Sequence, residues 1–211
     1  GSGLCVMHGR KRHLTHVCCR AGDLRNVVEI PPGTTVIGID CGAKHPDADR
    51  KYALARSAAF MGRLLIERIF ASRNGRQERW QGTLCEISIR EYVEKLRDRI
   101  PTKMRGADFL DRYGDTSDAL TSIEPSVLYR IRSRTEHHIY EVDRAAHFVD
   151  GLSKAARSED RGTVIEAGEL MYASHWSYGQ RCGLGSVETD RLVTLIRRRG
   201  VDAGFYGARV S

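Results

Sequence analysis

The apolar residues of this 211-residue chain change their spacing near residue 50, and that change restricts the folds open to it. Before residue 50, three short apolar runs alternate with turn residues, which is typical of β-strands; they cover residues 13–20, 25–30 and 34–41. After residue 50, apolar residues recur at helical spacing. Strands followed by a series of helices favour an α+β fold over a doubly wound sheet. We therefore expect a β-rich part at 1–50 and a helix-rich part at 51–211.

The helices can be placed from their periodicity and their stop signals. The first runs from Lys51, carries an apolar face of Leu54, Ala58, Met61, Leu65 and Ile69, and stops at Asn74-Gly75. The others are expected at 88–100 (before Pro101), 126–156, 160–179 and 187–200, with a short helical turn within 104–125. The long helix should bury Ile131, Ile139, Val142, Ala146 and Val149. A final strand is expected at 203–210.

Composition excludes several classes of protein. No run of about 18 apolar residues exists and no secretory signal is visible, so we expect a cytoplasmic protein. The net charge of +7 suits an anionic ligand, but only 7% of residues are aromatic and the arginines are interleaved with acids. We therefore expect no nucleic-acid partner.

Cysteines and histidines provide little basis for a metal site. The six cysteines lack CxxC spacing, so reduced thiols are expected instead of a disulfide framework or a zinc site. His13 and His16 would point to opposite faces of a strand, as would Cys18 and Cys19, so we assign no metal ligands there.

The sequence Gly183-Leu184-Gly185-Ser186 resembles the start of a phosphate-binding loop. Such a loop normally follows an apolar strand and continues into Lys-Ser/Thr, whereas here a helical pattern precedes it and Glu188-Thr189-Asp190 follow. The alternative is a helix start, in which Ser186 caps a helix that buries Leu192, Leu195 and Ile196 and ends at Gly200. This second interpretation is favoured.

Five segments, in order, resemble the GHMP kinase superfamily of sugar and metabolite kinases. They are VVEIPPGTTVIGIDCGAKH, YALARSAAFMGR, GADFLDRYGD with YRIRSRTEHHIYEVDRA, MYASHWSYGQRCGLGSVETDRLVTLI, and GFYGARVS. The resemblance is strongest to the galactokinase- and arabinokinase-like branch. It implies that residues 1–50 end the N-terminal lobe and that 51–211 belong to the C-terminal lobe, with the motifs for phosphate, the catalytic aspartate and the last Gly-rich loop outside this chain.

The same resemblance implies an ATP- and Mg²⁺-dependent sugar kinase that phosphorylates a monosaccharide hydroxyl, at C1, with the missing N-terminal lobe as a further partner. The chain alone is then expected to be inactive. Tyr52 matches the tyrosine that binds a sugar hydroxyl, and Arg56 matches an arginine expected to hold Tyr52 or a nearby carboxylate. Asp47 and Asp49 are expected beside the site, on the loop before the helix, where HPDADR departs from the family pattern.

Other polar clusters have simpler explanations. Glu136, His137, His138, Glu141 and Asp143 lie on one long predicted helix, where a pair such as His137–Glu141 stabilises the surface, so no catalytic role is assigned. His175 and Trp176 are expected to pack in a core or between domains. Arg197, Arg198 and Arg199 are expected to complement the helix dipole.

Two alternatives to the kinase remain open. One is a non-catalytic module of galactokinase-like fold that senses sugar or nucleotide or binds a protein. The other is a basic nucleic-acid-binding domain, supported by charge alone and testable by the salt dependence of its binding.

Overall fold

The structure is a computed structural model that describes residues 9–18, 23–42, 47–72, 82–158 and 160–210. These residues form two compact units. Unit 1 contains Gly1–Gly42, Arg144–Ala173 and Glu188–Ser211. Unit 2 contains Ala43–Asp143 and Ser174–Val187.

Helices dominate the described residues, with two small antiparallel strand pairs, and this agrees with the α+β expectation. The strands are β1 (His13–Cys18), β2 (Asp23–Glu29), β3 (Met104–Arg105) and β4 (Leu128–Tyr129). The regular helices are α1 (Ala48–Ala71), α3 (Gly106–Tyr113), α4 (Ile131–Ser158), α5 (Arg161–Ser177) and α6 (Val187–Arg199). An irregular helical segment, α2, joins an α turn (Ile89–Glu91), a π turn (Tyr92–Leu96) and a 3-10 turn (Arg97–Arg99). No helix among these described ranges is both long and apolar enough to cross a membrane.

The first two predicted strands are confirmed as a hairpin in unit 1. β1 pairs with β2 so that His13 lies opposite Glu29, with an irregularity between His16 and Val17. Val28 is buried and packs with Leu152 of α4 and Ala167 of α5. Cys19 lies outside the described residues.

The predicted third strand at 34–41 is wrong. These residues belong to no strand, and Val36, Ile37 and Ile39 are 61%, 71% and 57% exposed. Alternating apolar residues favour a strand, but a strand forms only where a neighbour accepts its backbone hydrogen bonds, and the described part of unit 1 places none beside this segment. The preceding turn is present: the Thr34 N–H donates to the Pro31 carbonyl at 3.1 Å, and Gly33 has a φ of +71°.

Several helix ends differ from the sequence pattern. α1 begins at Ala48, three residues earlier than expected, and ends at Ala71; the predicted stop at Asn74-Gly75 lies outside the described residues. α4 begins at Ile131 instead of residue 126, because Leu128 and Tyr129 pair as β4 with β3. α2 is confirmed and ends before Pro101, and α5 and α6 are confirmed within two residues.

The predicted strand at 203–210 is wrong. A 3-10 turn (Val201–Ala203) and Gly204, with a φ of +84°, turn the backbone out of the extended conformation. The segment then packs closely on α5: a Cβ added at Gly168 would lie 1.8 Å from the Tyr206 carbonyl oxygen. Residues 203–210 therefore pack against a helix instead of pairing with a strand.

Some predicted core positions are exposed. On α4, Ile131 and Ile139 are buried, whereas Val142 is 39% exposed and Ala146 is exposed. The helix passes from unit 2 to unit 1 after Asp143, so its apolar stripe does not continue on one face. On α6, Val193 is buried and the predicted Leu195 is 51% exposed.

The core of unit 2 fixes the position of α1. Its fully buried large side chains come from α1, α2, α3 and α4: Met61, Ile66, Tyr92, Leu96, Phe109, Ile131 and Ile139. Burying a side chain of this size contributes about 1.5–3 kcal/mol. α1 therefore presents one face to this core and its residues 49–52 to solvent.

Candidate functional site

The predicted site residues lie on the first two turns of α1. Asp47 occupies the N-cap position but makes no side-chain cap hydrogen bond, and Asp49 is exposed in the first turn. The expectation that Asp49 precedes the helix is therefore wrong, because the helix starts at Ala48. Tyr52 is 56% exposed, so its phenol is accessible to a ligand.

Arg56 makes a two-point ion pair with Asp118, a residue that sequence analysis did not single out. The Arg56 Nε and Nη2 groups donate to the two Asp118 carboxylate oxygens, each at 2.8 Å. The Asp118 side chain is only 1% exposed, and it also accepts from the Leu120 N–H at 3.2 Å and from the Thr121 hydroxyl. Two parallel hydrogen bonds fix the plane of a guanidinium as well as its position.

The pKa values agree with this geometry. The Arg56 hydrogen bond, opposed by burial and aided by Thr121, lowers the pKa of Asp118 to about 2. The pKa of Arg56 is raised, first by its hydrogen bond to Asp118 and also by a hydrogen bond with Tyr52. The family resemblance predicted that Arg56 holds Tyr52 or a nearby carboxylate, and both groups lie beside it.

The Arg56 guanidinium also contacts an aromatic ring. The Arg56 Cζ lies 4.9 Å from the centre of the Phe60 ring, and the Arg63 Cζ lies 5.7 Å from that centre. A guanidinium over a ring face is favoured by the ring quadrupole. Arg56 is therefore held by a carboxylate and by a ring.

The loop that carries Asp118, residues 114–127, is tied to α1 at further points. The Arg50 guanidinium contacts the Glu124 carboxylate at 3.1 Å. The Ser57 hydroxyl donates to the Thr121 hydroxyl at 3.0 Å. Two further contacts do the same: Arg63 to Ser117, and Ser57 to the Ser122 carbonyl. Arg68 also donates to the carbonyl of Tyr113, the last residue of α3. The loop therefore presents polar side chains to α1 beside the exposed start of that helix.

α4 crosses α1 at a close contact within unit 2. A Cβ added at Gly62 would lie 1.8 Å from the Thr135 hydroxyl oxygen, and that hydroxyl donates to the Ile131 carbonyl at 3.0 Å. His138 lies one turn further along α4, where burial, with a smaller contribution from the Arg56 charge, lowers its pKa.

Neighbouring polar residues of α4 bind α5. The His137 Nδ1 is 3.0 Å from the Ser177 hydroxyl, and the Ser174 hydroxyl donates to Glu141 at 2.6 Å. Glu136, buried, accepts from Arg97 at 3.0 Å and lies 3.6 Å from Arg181. Asp143 is exposed.

Arg181 connects two aromatic rings. Its Cζ lies 4.8 Å from the Tyr140 ring centre and 4.9 Å from that of Trp176. Trp176 is 55% exposed, so the core alternative expected for it is wrong, because its ring covers an arginine at the surface; packing between domains stays a prediction. His175 is partly buried.

The Gly183–Ser186 segment joins two helices. A π turn (Tyr178–Cys182) ends the preceding helix, Gly183 has a φ of +71°, and α6 begins at Val187. A Cβ at Gly183 would lie 2.7 Å from Arg134 Nη2, and Arg134 also donates to the Arg181 carbonyl. Burial lowers the pKa of Arg134. A helix and not a strand precedes this segment, in agreement with the favoured interpretation; the capping role of Ser186 stays a prediction.

The triple arginine at the end of α6 has a partner in unit 1. Arg197 contacts Glu169 at 2.7 Å, and its Cζ lies 4.7 Å from the Tyr172 ring centre. Arg198 and Arg199 are exposed in the last helical turn, where cations interact favourably with the dipole. Gly200, with a φ of +66°, follows the helix as predicted.

Unit 1 also contains an apolar cavity of about 410 Å³. Its walls come from residues 30–39, from α4 to α6 and from residues 204–209. Thr34, Thr35 and Arg209 are among the few polar residues at its surface. Pockets of this size and character hold small ligands in many proteins.

The site around Tyr52 does not fit a magnesium ion or the ATP phosphates. Within the described ranges, no three His, Cys, Asp or Glu side chains are grouped closely enough to hold a metal. At the site itself, the Asp118 carboxylate already binds Arg56 through both oxygens, and Arg56 is neutralised by it. What the site offers to a ligand is an exposed phenol beside a fixed guanidinium, which suits a neutral polar molecule.

Comparison with characterised proteins finds a relative that is similar to almost the whole chain. The relative is L-arabinokinase of Arabidopsis thaliana, to which the chain is 29% identical over 231 aligned residues covering 96% of the chain. The chain spans 22% of the length of that protein. It matches no established protein-family profile.

Proposed function

We propose that this chain is part of an ATP-dependent sugar kinase of the GHMP superfamily, which transfers the γ-phosphoryl group to the C1 hydroxyl of a monosaccharide. The observation that carries the proposal is the similarity to L-arabinokinase over 96% of the chain. The order of elements, a β hairpin followed by a helix-rich part, is compatible with it.

Within that enzyme, Tyr52 binds the sugar. Its exposed phenol donates to or accepts from a sugar hydroxyl, and Arg56 orients the phenol while Asp118 orients Arg56. Asp47 and Asp49, at the start of the same helix, border the site without being held by a cap hydrogen bond or an ion pair that the structure describes. Holding the sugar in one orientation is the contribution expected of such groups to phosphoryl transfer.

ATP and Mg²⁺ are the cofactors of the proposed reaction, and they supply the phosphoryl group and the charge that offsets its oxygens. The new bond joins the sugar oxygen to the γ-phosphorus, the bond from the γ-phosphorus to the bridging oxygen of ADP breaks, and the hydroxyl proton passes to the catalytic aspartate that the family resemblance implies outside this chain. Because the Asp118 carboxylate is bound to Arg56 through both oxygens, the proposal assigns Tyr52, Arg56 and Asp118 to sugar binding and not to proton transfer.

A phosphorylation screen tests the proposal. The full-length protein that contains this chain is incubated with MgATP and a panel of free pentoses, hexoses and uronic acids, and ADP release and sugar phosphate are both measured. We expect turnover with at least one sugar. ADP release that no sugar stimulates would contradict the kinase assignment.

A non-catalytic module that senses a sugar is the second candidate, and one observation favours it. The carboxylate nearest to Tyr52 among the described contacts, Asp118, is committed to Arg56, so this surface binds without catalysing. Sugar binding by the full-length protein without phosphorylation in the same screen would support this candidate over the kinase.

A further inference from the structure

The β3–β4 pair of unit 2 brings three cations together on one face. Its antiparallel register places Arg105 opposite Leu128, and the same register, continued beyond the strand ends, places Lys103 opposite Arg130. Directly opposite residues in such a pair have Cα atoms about 4.5–5.5 Å apart. Side chains alternate between the two faces of a strand, and Tyr129 is buried on the inner face. Lys103, Arg105 and Arg130 therefore share the outer face, where all three are exposed, and we call them the basic face.

None of the three cations of the basic face forms an ion pair with a carboxylate in the described part of the chain. Arg105 donates only to a backbone oxygen, the Ser126 carbonyl, at 3.4 Å. The exposed carboxylate of Asp98 contacts other arginines, Arg97 at 3.7 Å and Arg132 at 4.0 Å. The described residues therefore leave the charge of the basic face without a counterion.

This arrangement of charges is unfavourable for the protein by itself. Like charges directly opposite in a strand pair are destabilising, and this applies to Lys103 and Arg130. Arg130 also precedes α4, whose first turn contains no acidic residue although the helix dipole favours negative charge there. Burial lowers the pKa of Arg134, and the positive charge of Arg130 lowers it further. A bound anion would offset the positive potential that these groups produce.

The spacing of the cations indicates the size of that anion. Lys103 and Arg105 are two residues apart on one strand, which separates their Cα atoms by about 7 Å. Three cations within so short a distance match neighbouring phosphate groups of one small molecule, and guanidinium groups bind phosphate oxygens through two parallel hydrogen bonds. Single-stranded nucleic acid would be expected to stack on aromatic side chains, whereas the exposed side chain among these cations is Leu128.

We propose that Lys103, Arg105 and Arg130 form a binding site for a di- or triphosphate group. Arg105 and Arg130 each donate to oxygens of a phosphate, and the Lys103 ammonium group contributes a third positive charge. The site uses none of the residues assigned to sugar binding, and it does not depend on the proposed kinase function.

Calorimetric titration of the purified chain with tripolyphosphate, pyrophosphate and monophosphate at low ionic strength tests the proposal. We expect saturable binding that is tightest for tripolyphosphate, weakest for monophosphate, and weaker for each as salt is added. Lys103→Gln and Arg130→Gln should each reduce the affinity for tripolyphosphate about three- to tenfold, and the double variant should reduce it further. The matched control is Arg112→Gln, at an exposed arginine of α3, which should leave the affinity unchanged.

Thermal unfolding without ligand separates lost binding from lost folding. Because each variant removes a repulsion, its melting temperature should be no lower than that of the wild-type chain. The proposal is wrong if no phosphate binds saturably, or if the double variant binds tripolyphosphate as tightly as the wild type. It is also wrong if duplex DNA binds to the basic face and tripolyphosphate does not compete with it. Any of these results would leave the proposed kinase function standing, since the sugar phosphorylation screen tests that separately.

Discussion

Asp118 determines where the Arg56 guanidinium lies, and through it where the Tyr52 phenol can point. A carboxylate whose side chain is 1% exposed would be strongly disfavoured without a cation and several donors, and Arg56, Thr121 and the Leu120 N–H supply them. This arrangement allows two predictions about single residues, one on binding and one on stability.

Replacing Tyr52 by Phe removes one hydroxyl from an exposed ring without disturbing the core. In the full-length enzyme we expect a higher KM for the sugar, equivalent to about 0.5–1.5 kcal/mol, and little change in the KM for ATP. Steady-state kinetics with each substrate varied in turn measures both constants. A sugar KM that stays the same would remove Tyr52 from the site.

Replacing Asp118 by Asn should lower the free energy of unfolding by about 1–2 kcal/mol at pH 7. Since the folded-state pKa, about 2, lies below the ordinary value of 3.8, the stabilisation is fully present above pH about 5. It is lost as the pH falls through 3.8 towards 2. Urea unfolding of both proteins from pH 7 to pH 2 measures this, with Asp111→Asn, at an exposed carboxylate of α3, as control. A difference that persists unchanged at pH 2 would contradict the ion-pair explanation.

Individual contacts of this kind could be predicted only in part. The alignment of Tyr52 and Arg56 on one helix face follows from their four-residue separation. Asp118 is 62 residues from Arg56 and lies in a polar stretch with no periodic pattern, so no local signal marks it.

At the scale of elements, the crossing of α1 and α4 depends on a glycine. Gly62→Ala would place a methyl group 1.8 Å from the Thr135 hydroxyl oxygen, so we expect a loss of about 1–3 kcal/mol in the free energy of unfolding. Gly151→Ala on α4 is the matched control: its Cβ would lie 3.6 Å from that of Ala167, and it should stabilise the helix by about 0.5–1 kcal/mol. Chemical denaturation measures both; equal effects would show that the crossing is looser than described.

The start of α6 gives a second prediction for an element. Ser186→Ala should reduce the free energy of unfolding by about 1 kcal/mol, as the loss of a helix cap does, and should leave ATP affinity unchanged. Thermal unfolding and nucleotide titration of the variant test the two parts separately. A large loss of nucleotide binding at unchanged stability would restore the phosphate-loop interpretation of Gly183–Ser186.

At the scale of the whole molecule, we predict that this chain alone has no measurable sugar kinase activity. Phosphoryl transfer needs groups that hold phosphate oxygens and Mg²⁺ as well as a placed hydroxyl. At the described site, Asp118 and Arg56 neutralise each other, so neither is free to hold phosphate oxygens or Mg²⁺. Incubation of the purified chain with MgATP and the sugar panel tests this, with the full-length protein as positive control. Clear turnover by the chain alone would show that the catalytic groups lie within it.

Periodicity in the sequence was sufficient for the helices, because an amphipathic helix repeats its apolar face every three to four residues whatever it packs against. This periodicity identified α1, α5 and α6. The strands of the β1–β2 hairpin were identified from short apolar runs between turn residues, and the glycine that follows α6 from its place after the last periodic residue. The segments at 34–41 and 203–210 were not, since a strand requires a partner and the sequence does not show whether one is near. Four features depend on residues that are far apart in the chain, and only the tertiary structure brings these residues together. They are the pairing of strands, the division of α4 between two units, the Gly62–Thr135 contact and the Arg56–Asp118 ion pair.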